Sequence, residues 1–198
     1  MVRAHRRRAA AVAAAFGISL LVGSVAAAGQ LRGGAADASQ STGSALESAS
    51  LVAEQRLVTN VAETRRLEEA ARKVERAVPQ KSGEGRRIVF SESRQRVWLI
   101  GSSGRVERTY PVSGSKYDNL DPGTYAVQSR TMNATSFDYT GTMKYFVRFT
   151  QGKNAPIGFH SVPRHNNGEL EQTKAQLGTP LSSGCVRQWA DDARALWD

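Results

Sequence analysis

The spacing of apolar residues divides the chain into a helical segment followed by a β-rich segment. Between Ala45 and Val78 there is no proline or glycine, and apolar residues recur every three or four positions, which is typical of an amphipathic helix. Asn60 and Thr64 interrupt this apolar stripe. Because the stripe is narrow and broken, it predicts a long single helix or a weakly self-associating coiled coil rather than a part of the hydrophobic core.

From residue 86 onward, short apolar runs alternate with turn-forming residues, which predicts β-strands. The runs 87–90 and 96–100 are joined by the polar stretch 91–95 and predict a hairpin. Further strands are predicted at 105–113, 125–128, 143–149 and 157–160, and a helix at 188–197. The pattern therefore predicts a mainly β domain with a short C-terminal helix, preceded by the long N-terminal helix.

The first 28 residues have the composition of an export leader. Arg3 and three further arginines at 6–8 precede the uncharged segment 9–28, which ends in small residues at Ala26 and Ala28. This pattern predicts a signal peptide cleaved after Ala28. The alternative is an uncleaved membrane anchor, because about 20 residues at ~1.5 Å each span a ~30 Å hydrocarbon core. In both cases we expect the rest of the chain to be extracytoplasmic, either secreted or membrane-anchored in the cell envelope.

Composition divides the chain after the leader into three segments. Residues 29–44 are rich in Gly, Ala and Ser, which predicts a flexible linker. Residues 45–79 form the predicted helical stalk, and Pro79 with the glycines at 83 and 85 marks its end. Residues 86–198 form the predicted β domain, which is long enough for one modest hydrophobic core.

Charge narrows the set of partners. The formal net charge of +9 includes the four leader arginines, so residues 29–198 carry +5. A moderately basic exported domain suits a polyanionic wall or membrane surface, although the same charge can serve solubility. The sequence has no low-complexity basic tract and no array of basic and aromatic residues, so we expect no nucleic-acid partner. We expect membrane contact only through an uncleaved N-terminal segment.

Cys185 is the only cysteine of the chain, and it follows His160 by 25 residues. An exported protein with one thiol cannot form an internal disulfide, so Cys185 serves packing, an intermolecular link or chemistry. The helix predicted at 188–197 would place the thiol near a positive helix N-terminus, which stabilises a thiolate. We favour a catalytic thiol over an inert buried one.

The residues around Cys185 and His160 resemble a known signature. Ile157-Gly-Phe-His-Ser161, followed by Ser182-Ser-Gly-Cys-Val-Arg187, resembles the motif of the L,D-transpeptidase (YkuD-like) family of cell-wall enzymes. Leu120-Asp-Pro-Gly-Thr-Tyr125 is similar to the Thr-Pro-x-Gly-x-aromatic segment of that family. The resemblance covers residues 86–198 and implies a β-sandwich or barrel-like catalytic domain.

Three features depart from the family pattern. Ser183 stands where the family usually has histidine, and the spacer between the histidine and the cysteine is longer than usual, which implies an inserted loop around 163–177. Family members normally continue into a closing strand, so the resemblance implies that the domain is truncated at Asp198.

The resemblance implies a role for each residue of the motif. Cys185 would be the nucleophile and His160 its general base and acid, because a thiol with a pKa near 8.5 needs a proton acceptor. The backbone carbonyl of Ser161 would orient the imidazole. The backbone N–H groups of Ser183 and Gly184, together with that of Cys185, would form the oxyanion hole.

Three further residues are candidates for contact with the substrate. Arg187 can bind a substrate carboxylate or form a structural ion pair with Asp191 or Asp192. Tyr145 and its neighbour Phe146 can line the cleft or pack within a strand. His165 is expected to be a surface residue of the inserted loop, while the remaining histidine, His5, lies in the leader.

We expect no metal and no cofactor. Two histidines and the cysteine are ligands that suit zinc, but their spacing matches no familiar zinc pattern. The resemblance implies a peptidoglycan L,D-transpeptidase that acts on stem peptides and forms 3→3 crosslinks through a cysteine acyl-enzyme. The alternatives are an L,D-carboxypeptidase on the same stem peptides and a catalytically silent module that binds the cell wall.

Overall fold

The computed structural model describes residues 1–5 and 38–198 of the 198-residue chain. Residues 6–37, which hold the apolar part of the predicted leader and most of the predicted linker, lie outside the described residues. The described residues belong to two compact units. One unit contains residues 1–5 and 76–198, and the other contains the helical residues 38–75.

Helix α1 spans Ala38–Arg76. It begins seven residues before the predicted start, because alanine, serine and glutamine are compatible with a helix and the single Gly43 costs only about 1 kcal/mol. The apolar side chains at positions 51–74 are exposed, and Glu68 pairs with Arg72 one turn away at 4.0 Å. Among the described residues, no helix combines the length and the apolar character needed to cross a bilayer.

The other unit is built from strands. The strands are β1 (Val2–His5), β2 (Arg87–Ser91), β3 (Arg96–Ile100), β4 (Val106–Pro111), β5 (Gly123–Tyr125), β6 (Ser129–Thr135), β7 (Gly141–Gln151), β8 (Pro156–Ser161), β9 (Arg164–His165) and β10 (Val186–Gln188). A short 3₁₀ helix covers Lys174–Gln176, and helix α2 spans Ala190–Trp197. The predicted mainly β architecture with a long N-terminal helix and a short C-terminal helix is confirmed.

The strands form two sheets. The first sheet has the order β4-β3-β2-β1-β5, and β2 and β3 form the predicted hairpin. The second sheet has the order β10-β8-β7-β6, with β9 paired to β7. The sequence pattern did not predict β6, which is mostly exposed and lacks an apolar face, or β10, which has only three residues.

The two sheets share one hydrophobic core. Phe90 of the first sheet meets Phe159 of the second edge-to-face, with ring centroids 6.4 Å apart, and Phe149 packs against Phe159 at 5.0 Å. The core cluster contains Val2, Ala4, Phe90, Val97, Tyr110, Val112, Leu120, Phe149, Ile157, Phe159 and Val186. Strand β8 contributes to this core and also carries His160, so the core holds the histidine in place.

Strand β1 brings the first residues of the chain into the first sheet. It runs parallel to β2 and antiparallel to β5. Val2 and Ala4 lie on the same face, as the two-residue period of a strand requires, and both are buried in the core. These residues belong to the segment predicted as the leader, 1–28, whereas here β1 provides the backbone partners that join β2 to β5.

The domain unit also begins earlier than the predicted boundary at residue 86. The indole Nε1–H of buried Trp98 donates to the carbonyl oxygen of Arg76 at 2.7 Å, and Arg94 donates to that of Ala77 at 2.6 Å. Val78 packs against the cluster that contains Trp98. The last residues of the predicted stalk are therefore part of the β domain, because they satisfy and cover the tryptophan.

Candidate active site

His160 lies on β8, between β7 and β10, and is almost completely buried. The ring of Phe146, from β7, meets the imidazole edge-to-face at 5.4 Å. The strand must approach β7 closely at Gly158, where a Cβ atom would lie 2.5 Å from a ring carbon of Phe146 and 2.5 Å from the carbonyl oxygen of Val147. A glycine two residues before the histidine is thus required by the packing.

The protonation state of His160 follows from its hydrogen bond. Its Nδ1 lies 2.7 Å from the carbonyl oxygen of Ser161, the contact that the resemblance implied. Because a carbonyl oxygen only accepts, Nδ1 carries the proton and Nε2 keeps its lone pair in the neutral ring. Burial lowers the pKa of His160 to about 4, the Ser161 carbonyl opposes this shift, and the charge of Arg187 adds to it. The imidazole is therefore neutral at pH 7 and can accept a proton at Nε2.

Main-chain contacts hold the segment that precedes Cys185. The backbone N–H of Ser182 donates to the Gly114 carbonyl at 3.0 Å, and that of Lys116 donates to the Ser182 carbonyl at 2.9 Å. The side-chain amide of Asn119 donates to the Ser183 carbonyl at 2.7 Å. These contacts tie the residues before Cys185 to the loop that follows β4, and so they position the cysteine.

Strand β10 sets the position of Cys185 relative to His160. In the parallel pairing of β10 with β8, Val186 is opposite Phe159 and Arg187 is opposite His160. Cys185 precedes β10 and lies beside Gly158, and its thiol donates to the Pro156 carbonyl at 3.5 Å. Cys185 and His160 line the same cavity, whose volume is about 450 Å³.

The prediction that a helix N-terminus lies next to the thiol was wrong. Helix α2 begins at Ala190, and β10 separates it from Cys185, so the positive end of the helix does not adjoin the sulfur. Burial raises the pKa of the Cys185 thiol above its ordinary value, while a backbone hydrogen bond from Gly158 and the charges of Arg187 and Arg148 lower it. Since burial dominates, the resting residue is a neutral thiol.

The backbone N–H groups of the oxyanion-hole candidates differ in what they bind. The N–H of Gly184 donates to the hydroxyl of Ser182 at 3.2 Å. Within the described residues, the N–H groups of Ser183 and Cys185 donate to no other group. A Cβ atom at Gly184 would meet its nearest neighbour at 3.5 Å, an ordinary contact, so no packing within the domain demands this glycine.

Arg187 forms an ion pair, but not with the expected partner. Its guanidinium donates to the carboxylate of Glu171 in the inserted loop, and the second Nη lies 3.5 Å from the side-chain oxygen of Gln172. Asp192 instead pairs with Arg108 at 2.7 Å. Arg187 lines the cavity with its charge already balanced.

Tyr145 and His165 lie away from the cavity that holds Cys185. Tyr145 has a φ of 58°, which interrupts the regular alternation of β7, and its ring packs against Trp197 of α2 at 6.0 Å. Its hydroxyl accepts from Nε of Arg194 at 3.3 Å. Tyr145 lines a second cavity next to α2, and His165 is exposed on β9, as expected for a surface residue.

Phe146 lines this cavity, which is one of the two positions that the sequence offered for it, whereas Asn119 and Arg148 are cavity residues that the sequence analysis missed. Phe146 and Arg148 alternate on β7 and face the cavity, a period that the sequence does show. Asn119 lies in an irregular loop between β4 and β5, where no periodic signal identifies it.

Comparisons with known proteins identify the family of the β domain. A family model described as YkuD, L,D-transpeptidase catalytic domain, matches residues 85–198. This range contains His160, Cys185 and every cavity residue named above. No curated protein sequence matches the chain.

Several solved structures are similar to the chain. The L,D-transpeptidase LdtMt1 in complex with imipenem is 22% identical with a TM-score of 0.46, and the match covers 59% of this chain and 55% of that one. An L,D-transpeptidase from Mycobacterium smegmatis is 19% identical with a TM-score of 0.45, covering 56% and 52%. The L,D-transpeptidase (Yku) from Stackebrandtia nassauensis is 17% identical with a TM-score of 0.46, covering 62% and 55%. The chain spans about half the length of these solved chains.

Proposed function

Because the chain belongs to the L,D-transpeptidase (YkuD) family, we propose that it forms 3→3 crosslinks in peptidoglycan through an acyl-enzyme on Cys185. The observation that carries this proposal is the pair of side chains in one cavity: a thiol and a buried neutral imidazole whose free nitrogen is Nε2. The family acts on peptidoglycan stem peptides, so we place the domain outside the cytoplasm, at the cell wall.

The first half-reaction acylates the cysteine. Sγ of Cys185 attacks the carbonyl carbon that links the third and fourth residues of a donor stem, while Nε2 of His160 takes the thiol proton. The carbon–nitrogen bond then breaks, and the same proton passes from Nε2 to the departing amine of the terminal D-alanine. The products are a thioester on Cys185 and free D-alanine.

The second half-reaction transfers the acyl group. A side-chain amine of a second stem attacks the thioester carbonyl and gives its proton to Nε2 of His160. The carbon–sulfur bond breaks, and the sulfur of Cys185 recovers the proton from Nε2. A new amide joins the third residues of two stems. If water replaces the amine, the same steps hydrolyse the thioester, and the enzyme acts as a carboxypeptidase.

The pKa shifts decide how the thiol is activated. Burial raises the pKa of Cys185 and lowers that of His160, so a thiolate–imidazolium pair is disfavoured before substrate binds. The proton therefore leaves the sulfur as the carbon–sulfur bond forms. Orientation of the ring by the Ser161 carbonyl serves this step, because it keeps the lone pair at Nε2.

Main-chain donors would stabilise the tetrahedral oxyanion. The N–H groups of Ser183 and Cys185 are available, whereas that of Gly184 must first leave the Ser182 hydroxyl. Because these donors belong to the backbone, serine in place of the family histidine at 183 leaves them intact.

A mass measurement of the intact protein tests the nucleophile. Incubation with a carbapenem should add one acyl group to the full-length chain, and peptide mapping should locate it on Cys185. Cys185→Ser should fold and remain unmodified, because a hydroxyl does not share the acidity of the thiol. An adduct on another residue, or no adduct at all, would contradict the proposal.

Stem peptides separate transfer from hydrolysis. A disaccharide tetrapeptide donor with an excess of an acceptor stem should give a crosslinked dimer whose yield rises with acceptor concentration. Release of D-alanine with a tripeptide as the only other product would instead identify a carboxypeptidase. Absence of any product would identify a catalytically silent wall-binding module.

A further inference from the structure

Arg148 lies on the same face of the second sheet as His160. It is opposite Gly158 in the pairing of β7 with β8, and Gly158 adjoins Cys185. Its side chain lines the cavity together with those of His160 and Cys185. The charge of Arg148 also lowers the pKa of the Cys185 thiol, so the guanidinium lies within electrostatic reach of the sulfur.

The guanidinium of Arg148 is held by its surroundings. One Nη group donates to the hydroxyl of Thr131 at 2.8 Å and to that of Ser129 at 3.1 Å, both from β6. The guanidinium carbon lies 4.4 Å from the ring centroid of Phe146, a stacked cation–π contact. These contacts orient the group before any ligand arrives, so little side-chain entropy is lost on binding.

In the described part of the chain, no carboxylate balances the charge of Arg148. Its hydrogen-bond partners are neutral hydroxyls, and no carboxylate among the described residues pairs with it. Its Nε–H and second Nη group donate to no described residue. Arg187 differs, because Glu171 already neutralises it.

The other charged side chains that line the cavity do not replace this site. Asp138 carries a negative charge and accepts hydrogen bonds from Thr140, and Lys153 is an exposed cation in the loop between β7 and β8. Arginine differs from lysine in presenting a planar fork that matches the two oxygens of a carboxylate.

We propose that Arg148 binds a carboxylate of the donor stem peptide and thereby determines which donors are accepted. This inference rests on the proposed function and deepens it. Two carboxylates of such a peptide lie near the bond to be broken: the C-terminal carboxylate of the departing fourth residue and a side-chain carboxylate of the third residue. Binding of the C-terminal carboxylate would make the enzyme select stems with a free C-terminus at the fourth residue. Binding of the side-chain carboxylate would make it select stems whose third residue carries that group.

Kinetics with matched donors test the proposal. Three tetrapeptide donors are compared: one with both carboxylates, one with a C-terminal amide, and one with an amidated side chain at the third residue. In the wild-type protein, kcat/KM should fall roughly 10- to 100-fold for the amide that removes the carboxylate bound by Arg148, the range of a charge-assisted hydrogen-bonded pair. The amide that lowers kcat/KM identifies which carboxylate is bound.

The variant Arg148→Gln assigns the preference to the arginine. It should lower kcat/KM for the donor with both carboxylates by a similar factor and should leave the rate for the sensitive amide nearly unchanged, so the preference disappears. Arg148→Lys should recover part of the preference for the donor with both carboxylates. If the role of Arg148 were purely structural, Arg148→Gln would lower kcat/KM for all three donors alike and keep the ratio between them. Lys153→Gln, which removes another cavity cation, should keep the wild-type ratio.

The outcomes separate this inference from the proposed function. If the wild-type protein converts all three donors equally, or if Arg148→Gln retains the wild-type preference, the assignment of Arg148 is overturned while acyl transfer stands. If no donor reacts and no adduct forms on Cys185, the proposed function itself fails.

Discussion

Burial of His160 should make the stability of the domain depend on pH within a defined window. The pKa of this histidine is lowered to about 4 in the folded state, mainly by burial, whereas an unfolded chain has a value of about 6.5. Between these two values the unfolded state binds more protons than the folded state. The free energy of unfolding therefore decreases as the pH falls from about 6.5 to about 4.

The size of the effect follows from the shift. A difference of about 2.5 pKa units, at about 1.36 kcal/mol per unit, amounts to roughly 3 kcal/mol. The side chain is only 3% exposed, so solvent screening does not reduce this value greatly. A loss of this size is a large part of the stability of an ordinary domain, which is about 5–15 kcal/mol.

Urea unfolding at a series of pH values measures the effect. Tryptophan fluorescence reports on the β domain alone, because the three tryptophans lie at 98, 189 and 197. His160→Asn removes the titrating ring and keeps an amide donor near the Ser161 carbonyl. Between pH 7 and pH 4, the decrease in the free energy of unfolding should be about 3 kcal/mol smaller in this variant than in the wild type.

His165→Asn is the matched control, because His165 is exposed. It should reproduce the wild-type pH dependence. If the wild type and His160→Asn lose the same free energy over this range, the imidazole does not enter the fold in its neutral form, and the reasoning about its protonation state is refuted.

Three other predictions follow from the packing and the chemistry. Gly158→Ala should destabilise the domain by about 1–3 kcal/mol in urea unfolding, since its Cβ would overlap atoms of β7 at 2.5 Å, whereas Gly184→Ala, with no neighbour closer than 3.5 Å, should retain wild-type stability. His160→Ala should slow carbapenem acylation of the cysteine by roughly 10²- to 10⁴-fold in stopped-flow measurements, and similar rates for His165→Ala would show that the wrong histidine was chosen. Deletion of residues 45–75 should leave the melting temperature and the activity on soluble stem peptides unchanged, and it should reduce crosslinking of intact wall. Extending the deletion to residue 78 should lower the melting temperature, because this removes the Arg76 carbonyl that accepts from the indole of Trp98 and the side chain of Val78 that packs against it.

Local sequence determined the elements whose signal is short-range. The hairpin of β2 and β3 was predicted because two apolar runs flank a polar turn, and the register follows from that turn. Cys185 was singled out because it is the only thiol of the chain, and the resemblance to a family motif paired it with His160. Helix α1 was predicted from its composition, since a long run without proline or glycine favours helix whatever its surroundings.

Only the tertiary structure decided which groups meet across the chain. Arg187 is neutralised by Glu171 rather than by the neighbouring aspartates, because the inserted loop places its carboxylate against the guanidinium while Asp192 pairs with Arg108. Arg148 faces the cavity because β7 pairs with β8, and no local pattern reveals that its partners are hydroxyls of β6. Strand β1 joins the first sheet through pairing with residues more than 80 positions away. Periodicity reports which face of an element is apolar, whereas the partner of a charge or of a strand edge depends on long-range register, which the sequence pattern does not encode locally.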